Sequence, residues 1–269
     1  MIRLDVFLFE KGMVKSREKA RALIMEGVVF VNGAKATKAG VMVDENAEVV
    51  IREDPIPFVS RGGLKLQKAM REFPIVLEGM TAADIGASTG GFTDCMLQSG
   101  ASCVYAIDVG YGQLDWKLRT DERVRVMERT NARYMEPGWF DKPLDFASID
   151  VSFISLDKIL PGLFSCVKTG GSVVALIKPQ FEAGRKDVGK NGVVRSAEVH
   201  LSVIRRVIGV ATDCGYCVEG LSFSPVTGPK GNIEFLIYLK RPEPGQPAQS
   251  FLPEALPEQV VAEAHGSLD

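Results

Sequence analysis

Hydrophobic and polar residues follow a mixed pattern at the start of the chain, which predicts a small α+β domain over residues 1–57. Two short helical patterns, RLDVFLFEKG and SREKARALIMEG, precede two strand-like segments, VVFVNGAKA and AEVVI. Ser16 is a suitable N-cap for the second helix. Asn32 and Gly33 predict a tight hairpin turn after the first strand. The segment PIPFVSRGG then predicts a linker at residues 58–62.

From residue 63 to residue 241, helical and strand-like segments alternate. The predicted helices are LKLQKAMREF, GGFTDCMLQSG, LDWKLR, SLDKILPGLFSCV and SAEVHLSVIRRVIGVATDCG. The predicted strands are TAADIGA, SCVYAIDVG, RVRVME, LDFASIDV, GGSVVALIKP, YCVEGLSFS and NIEFLIYLK. This alternation predicts an α/β domain with a doubly wound, mostly parallel, seven-stranded Rossmann-like sheet. The last two strands have no helix between them and should form an antiparallel hairpin at the sheet edge.

The remaining segment, residues 242–269, carries five prolines and is acidic, with no Lys or Arg. This composition predicts a disordered tail, within which LPEQVVAEA is the one candidate for a brief helix. The overall net charge of −2 therefore conceals an asymmetry, because the first forty residues carry eight Lys or Arg against four acids. A local basic surface of this kind attracts polyanions.

Composition excludes several classes of protein. Hydrophobic residues make up 46% of the chain and charged residues 25%, as in a globular protein. No run approaches the roughly 18 consecutive apolar residues of a membrane span, and Arg3 and Asp5 interrupt any signal-peptide core. The prediction is a cytoplasmic protein without a membrane partner. Cys214 and Cys217 form a lone C-x-x-C with only two histidines in the chain, so we predict thiols at a helix-to-strand junction and no metal site.

The stretch DIGASTGGFTD predicts a nucleotide-binding turn between a strand and a helix. Gly86, Gly90 and Gly91 allow the backbone to approach a ligand, and Asp108 ends the next strand where an acid binds ribose hydroxyls. These features fit NAD and S-adenosylmethionine equally, whereas an antiparallel last strand is typical of S-adenosylmethionine-dependent methyltransferases. The candidate cofactor-binding residues are Asp84, Gly86, Ser88, Gly90, Gly91, Phe92, Asp108 and Asp150.

Three charged residues stand where apolar residues are expected. Asp150 ends the fourth strand of the predicted sheet, Lys178 ends the fifth, and Glu234 lies inside an apolar strand. Each has a structural explanation, as a helix cap, a strand-end lysine or an edge residue. Open α/β sheets bind ligands at the carboxyl ends of their strands, so the three together favour a site. Lys65 lies about a quarter turn from the centre of the buried face of the 63–73 helix, from which it can reach that site.

Two aromatic residues flank these motifs. Phe153 and Phe181 could stack on a base or on adenine, but aromatic packing in the core is the favoured interpretation. His200, in the middle of the long helix, is interpreted as a surface or core residue without a catalytic role.

The motifs resemble known families over residues 2–241. SREKARALI and GVVFVNG resemble the S-four type of RNA-binding domain. DIGASTGGFTD, DVGYGQL, DVSFISL and LIKPQFEAGRKDVG resemble the TlyA type of haemolysin/ribosomal-RNA methyltransferase, whose catalytic half is similar to the FtsJ-like ribose 2′-O-methyltransferases. The resemblance implies S-adenosylmethionine as cofactor, ribosomal RNA or ribosomal subunits as partner, cytidine as the target, and a catalytic Lys65–Asp150–Lys178–Glu234 tetrad. The implied RNA-binding residues are Arg3, Lys15, Arg17, Lys19, Arg21, Arg61, Arg185, Lys186 and Lys190.

In such a mechanism a lysine must accept the proton of the ribose hydroxyl. Burial and a neighbouring cation favour the neutral form of a lysine, so Lys178 is the predicted base and Lys65 the neighbouring cation. Asp150 and Glu234 are expected to orient Lys178. The basic, glycine-rich segment GRKDVGKNGVVR is expected to move and to hold the RNA backbone. Alternatives are a pore-forming haemolysin, a dinucleotide oxidoreductase, and an RNA-binding protein with an inactive methyltransferase fold.

Overall fold

The structure is a computed structural model that describes residues 1–14, 16–51, 56–184, 186–189, 191–228 and 230–268, apart from the side chains of residues 22 and 26. The chain divides into two compact units, Met1–Pro57 and Phe58–Asp269. Each unit is built around its own core and is described by itself.

The first unit is a small α+β domain. Its elements are β1 (Ile2–Arg3), α1 (Leu4–Glu10), α2 (Arg17–Glu26), β2 (Val29–Val31), β3 (Ala34–Lys35), β4 (Met42–Val43) and β5 (Val49–Ile51). Strand β1 pairs with β4, and β2 lies between β3 and β5; all of these pairs are antiparallel. Ser16 caps α2 by accepting a hydrogen bond from the Lys19 amide, as predicted. Asn32 and Gly33 both have positive φ, as a two-residue hairpin turn requires.

The second unit carries the large sheet. Its elements are α3 (Gly62–Glu72), β6 (Thr81–Ile85), α4 (Gly91–Gln98), β7 (Cys103–Ile107), α5 (Trp116–Arg119), β8 (Val124–Met127), β9 (Leu144–Ile149), α6 (Leu160–Cys166), β10 (Val167–Ile177), α7 (Pro179–Glu182), α8 (Ala197–Asp213), β11 (Cys217–Phe223), β12 (Phe235–Lys240) and α9 (Leu256–Leu268). The seven strands lie in the order β11-β12-β10-β9-β6-β7-β8. In this sheet as described, β12 runs opposite to the other six strands, which confirms the predicted fold class.

Helices cover both faces of the sheet. Alternate residues of β6 point to opposite faces: Ala83 and Ile85 join the core shared with α6, α8 and α9, while Asp84 faces α4. The predicted helix SLDKILPGLFSCV is divided in two, because α6 begins only at Leu160 after a short 3₁₀ turn. A proline in its first turn fits this start, since a proline needs no amide partner there.

The carboxyl-terminal segment differs from the prediction of disorder. Residues 242–268 are folded: the Val218 amide donates to the carbonyl of Gln249, and the Phe251 amide donates to the carbonyl of Val218. Helix α9 then packs on α8 and β11, with Val260, Val261 and Ala264 in the main core. The proline content misled the prediction, because apolar residues at helical spacing supply enough buried surface to order the segment.

Candidate functional site

Four charged side chains from distant parts of the chain meet at one edge of the large sheet. Asp150 follows β9 and Lys178 follows β10, so both lie at carboxyl ends of parallel strands. Glu234 precedes β12, which runs in the opposite direction, so the start of β12 lies at the same edge. The pairing of Ile177 with Phe235 places Lys178 and Glu234 next to each other along neighbouring strands. Lys65 reaches this edge from α3, with only 8% of the residue exposed.

The four groups form a chain of ion pairs. Lys65 Nζ lies 2.7 Å from Glu234 Oε2 and 3.4 Å from Asp150 Oδ2. Lys178 Nζ lies 2.5 Å from Asp150 Oδ1 and donates a hydrogen bond to Ser152 Oγ at 3.2 Å. Asp150 therefore lies between the two lysines. Glu234 pairs with Lys65, whereas the sequence-based expectation had it orienting Lys178.

The ionisation of this cluster follows from its charges. Burial disfavours the charged form of Asp150, but the two lysines outweigh burial and hold the pKa of Asp150 below its ordinary value. Burial also disfavours the charge on Lys65, but Asp150 and Glu234 outweigh it and raise the pKa of Lys65. Lys65 is thus protonated at neutral pH and held by two carboxylates. The arrangement makes it a fixed cation rather than a proton acceptor.

A cavity of about 470 Å³ opens beside the cluster, and Asp150 belongs to both. The cavity lies at the carboxyl ends of β6, β7 and β9, where open α/β sheets hold ligands. Its lining residues are Gly86, Ser88, Ile107, Asp108, Val109, Gln113, Thr130, Asn131, Ala132, Asp150, Val151, Ser152, Phe153, Ile154 and Ile159. The mixture of apolar walls and a few polar groups is typical of a small-molecule site.

Gly86 and Asp108 shape the cavity wall. Gly86 has φ of +87°, and a Cβ there would lie 2.6 Å from the carbonyl oxygen of Asp150, so no side chain fits. The carboxylate of Asp108 accepts hydrogen bonds from the amides of Ser88 and Gly110, at 2.8 and 2.7 Å. Asp108 therefore holds the glycine turn to the end of β7 while remaining at the cavity.

The other predicted cofactor-binding residues do not line this cavity. Asp84 is buried and accepts hydrogen bonds from the Thr93 amide and hydroxyl, which anchors the start of α4. A Cβ on Gly90 would meet the Leu118 side chain, and a Cβ on Gly91 would meet Ser60 and the Gly63 amide.

Phe92, the fourth of these residues, is also buried. These residues support the turn from behind by close packing, a role that a glycine motif does not distinguish from ligand contact.

Comparison with known proteins identifies the second unit. The FtsJ-like methyltransferase family matches residues 58–241, and the S4 domain matches residues 2–49. The chain belongs to the FtsJ-like methyltransferase family. This membership confirms the predicted fold class and the choice of a methyltransferase over a dinucleotide oxidoreductase.

The relatives of this FtsJ-like protein carry both names that its motifs suggested. YqxC of Bacillus subtilis is 53% identical over 267 residues, covering 99% of this chain and 95% of its own. A Brachyspira hyodysenteriae protein named Hemolysin A is 45% identical, covering 88% of this chain and 99% of its own. The 16S/23S rRNA (cytidine-2′-O)-methyltransferase TlyA of Mycobacterium tuberculosis is 41% identical, covering 88% of this chain and 89% of its own. The predicted resemblance to the TlyA type is confirmed.

The S4 domain gathers three of the predicted RNA-binding arginines around one acid. Arg3, Arg17 and Arg21 all bind the carboxylate of Asp5 at 2.9–3.0 Å, and each arginine side chain is about half exposed. Asp5 itself is fully buried, and the hydrogen bond from Arg3 leads the interactions that hold its pKa well below the ordinary value. The sequence pattern indicated a basic helix face but not the acid that organises it.

The remaining predicted RNA-binding residues are scattered. Lys19 is exposed on α2, Arg61 is half-buried before α3, and Lys186 is exposed after α7. Lys15, Arg185 and Lys190 lie outside the described residues.

Phe153 corrects a sequence-based interpretation. Core packing was favoured, but the residue is 90% exposed, lines the cavity and has φ of +65°. Its ring lies 4.9 Å from that of Phe181. The left-handed backbone after Asp150 turns the ring outward, and an apolar segment in the sequence gave no signal of this.

Other sequence-based expectations concern cysteines, histidine and membranes. Cys214 and Cys217 are free thiols at the junction of α8 and β11. His200 is fully buried and bonded to His265, as a core residue. Within the described residues, no helix is both long and apolar enough to cross a membrane.

Proposed function

We propose that this protein transfers the methyl group of S-adenosylmethionine to a ribose 2′-hydroxyl of ribosomal RNA, with cytidine as the target. The observation that carries the proposal is the position of Asp150, which belongs to the lysine–carboxylate cluster and to the cavity beside it. A cavity for a methyl donor and a group that handles a proton must be neighbours for transfer to occur. The name of the TlyA relative supports the choice of nucleotide.

The cavity suits S-adenosylmethionine in its polar groups. Asp108 offers a carboxylate for ribose hydroxyls, and Gly86 and Ser88 leave room along the turn. Asn131 and Asp150 also belong to the polar lining. When bound, S-adenosylmethionine supplies an electrophilic methyl group whose departure leaves a neutral thioether. No general acid is needed, so the protein has to position the hydroxyl and remove its proton.

Lys178 is the group proposed to receive that proton. It lies at the carboxyl end of β10 and is mostly buried, with Nζ between Asp150 and Ser152. Only the neutral amine has a free lone pair, so Lys178 must release its own proton to solvent before it accepts the proton of the ribose hydroxyl. Lys65 cannot take this role because its pKa is raised and both of its carboxylate partners hold it as a cation. The positive charge of Lys65 instead disfavours a positive charge on the nearby Lys178 and attracts the phosphate backbone of RNA. Asp150 orients Lys178 through their ion pair.

Two features support RNA as the substrate. Three arginines around Asp5 carry a net positive charge and keep exposed guanidinium surface, which suits contacts with phosphates. Phe153 presents a solvent-exposed ring at the mouth of the cavity, and exposed rings of this kind stack on unpaired bases.

The decisive experiment removes the proposed base. Lys178→Ala should lower methyl transfer from labelled S-adenosylmethionine to ribosomal subunits by roughly 10²- to 10⁴-fold. S-adenosylmethionine binding, measured by calorimetry, should survive. Lys168→Ala, which removes an exposed lysine on the same strand, is the matched control. A Lys178→Ala protein that retains transfer would refute the lysine-base mechanism, and a wild-type protein that leaves riboses unmethylated would refute the function.

A further inference from the structure

A line of hydrogen bonds runs from the carboxyl-terminal helix to the segment that carries Glu234. His265 on α9 meets His200 on α8, with Nε2 and Nδ1 separated by 3.0 Å. The other ring nitrogen of His200 lies 3.2 Å from the carbonyl oxygen of Val194. The Val194 amide donates to Oδ1 of Asn232 at 3.0 Å. His200, Val194 and Asn232 are all buried.

The chemistry of the partners determines the direction of the bonds at Val194 and Asn232, and a neutral His200 sets the direction of its bond with His265. A carbonyl oxygen only accepts, so His200 Nε2 carries a proton and donates to Val194. In neutral His200 the Nδ1 atom then accepts, so His265 Nε2 is the donor. Asn232 Nδ2 continues the line by donating to the carbonyl of Gly192 at 3.0 Å.

This line ends at the basic segment that is expected to hold RNA and at the segment that carries Glu234. Gly192 and Val194 close the basic, glycine-rich segment that follows α7. Asn232 lies two residues before Glu234, and its carbonyl accepts a hydrogen bond from the Gly228 amide at 2.9 Å. Gly228 in turn packs on Glu234, since a Cβ there would lie 2.8 Å from Oε1. These contacts connect Asn232 to the carboxylate that holds Lys65.

We propose that His265, His200 and Asn232 are positioning residues for methyl transfer, so that α9 helps to set the geometry of the active site. Through Val194 and Asn232, the two histidines fix the end of the basic segment and the location of Glu234 relative to one another. The proposal rests on the proposed function. It adds a role for a segment that lies beyond the matched methyltransferase region, residues 58–241.

The first test compares three substitutions on α9 in the full-length protein. His265→Ala removes the donor to His200 and should lower kcat about fivefold, which corresponds to about 1 kcal/mol. The Kd for S-adenosylmethionine should stay unchanged, because none of the linked residues lines the cavity. His265→Gln keeps an amide donor and should recover most of the kcat. Gln259→Ala, an exposed change on the same helix, is the control and should match the wild type.

The second test does not depend on activity. Amide hydrogen exchange in peptides covering residues 191–196 should be faster in His265→Ala than in the wild type and in His265→Gln. All measurements are made well below the thermal midpoint of each variant. Wild-type kcat and wild-type exchange in His265→Ala would overturn the inference, and so would a loss of kcat that His265→Gln fails to recover. If the wild-type protein methylates no RNA, the proposed function fails, while the exchange comparison still decides whether the histidines hold this segment.

Discussion

Asp84 is a buried carboxylate whose ionisation opposes folding, so Asp84→Asn should change how stability depends on pH. Its oxygens accept hydrogen bonds from Thr93 and Ser148, but burial outweighs them and raises its pKa from 3.8 to about 7. A carboxyl group with a higher pKa in the folded state binds its proton more tightly there. Its contribution to stability is therefore complete below about pH 4 and is lost as the pH rises toward 7.

The magnitude follows from the two pKa values. A rise from 3.8 to about 7 corresponds to about 4 kcal/mol at 1.36 kcal/mol per pKa unit. Of this stabilising free energy, about 2.5 kcal/mol is lost as the pH rises from 5 to 8, because the folded protein gives up the Asp84 proton in that range. An asparagine amide is uncharged at both pH values and keeps an oxygen for the Thr93 amide. The unfolding free energy of the wild type minus that of Asp84→Asn should thus fall by about 2.5 kcal/mol across this range.

Urea denaturation at pH 5, 6, 7 and 8 measures this difference. Both tryptophans, Trp116 and Trp139, lie in the second unit, so their fluorescence reports the unfolding of the unit that contains Asp84. Asp145→Asn is the control, because the Lys168 and Thr81 contacts outweigh burial and lower the pKa of Asp145. The stabilising contribution of ionised Asp145 is already complete above pH 5. The unfolding free energy of the wild type minus that of Asp145→Asn should therefore not change between pH 5 and pH 8. A pH-independent difference for Asp84→Asn would refute the assignment of an elevated pKa.

Two further changes test the cavity. Gly86→Ala should weaken S-adenosylmethionine binding at least about tenfold in calorimetry, because the added Cβ meets the Asp150 carbonyl and the φ of +87° disfavours a side chain. Gly79→Ala, with φ of +70° but open space around it, should leave that affinity unchanged, and equal losses in both would contradict the steric argument. Phe153→Ala should raise KM for ribosomal subunits about tenfold through the lost stacking, with an unchanged thermal midpoint. Phe251→Ala, an exposed ring in the carboxyl-terminal segment, should leave KM unchanged; a matching rise in KM would argue against a specific role for Phe153.

The sequence predicted the charged cluster because Asp150 and Lys178 end two predicted strands and Glu234 interrupts an apolar one. Which carboxylate pairs with which lysine was beyond prediction, because Lys65 enters the cluster from helix α3 and not from a strand. Strand pairing places Glu234 beside Lys178, yet Glu234 pairs with Lys65 and Lys178 pairs with Asp150. Such pairings depend on how a helix packs at the sheet edge, which alternating segments alone do not specify.

Local motifs were also ambiguous about what a residue contacts. Gly90 and Gly91 are required for close packing of side chains and backbone behind the turn, whereas Gly86 is required at the cavity, although all three share one motif. In the carboxyl-terminal segment, prolines dominated the prediction of disorder. The spacing of Val260, Val261 and Ala264 instead predicts an amphipathic helix. Burial of these side chains in the main core stabilises the folded segment despite its prolines.

The contact of Gly86 with the Asp150 carbonyl joins two equilibria that are usually considered apart. Backbone atoms of the glycine turn and of Asp150, whose carboxylate lies between the two lysines, are packed without space for a methyl group. A ligand that shifts the turn is therefore expected to shift Asp150, and protonation of the cluster is then expected to alter affinity for that ligand by the same factor. Occupancy of the cavity and the charge of the cluster are in this sense linked through one backbone contact.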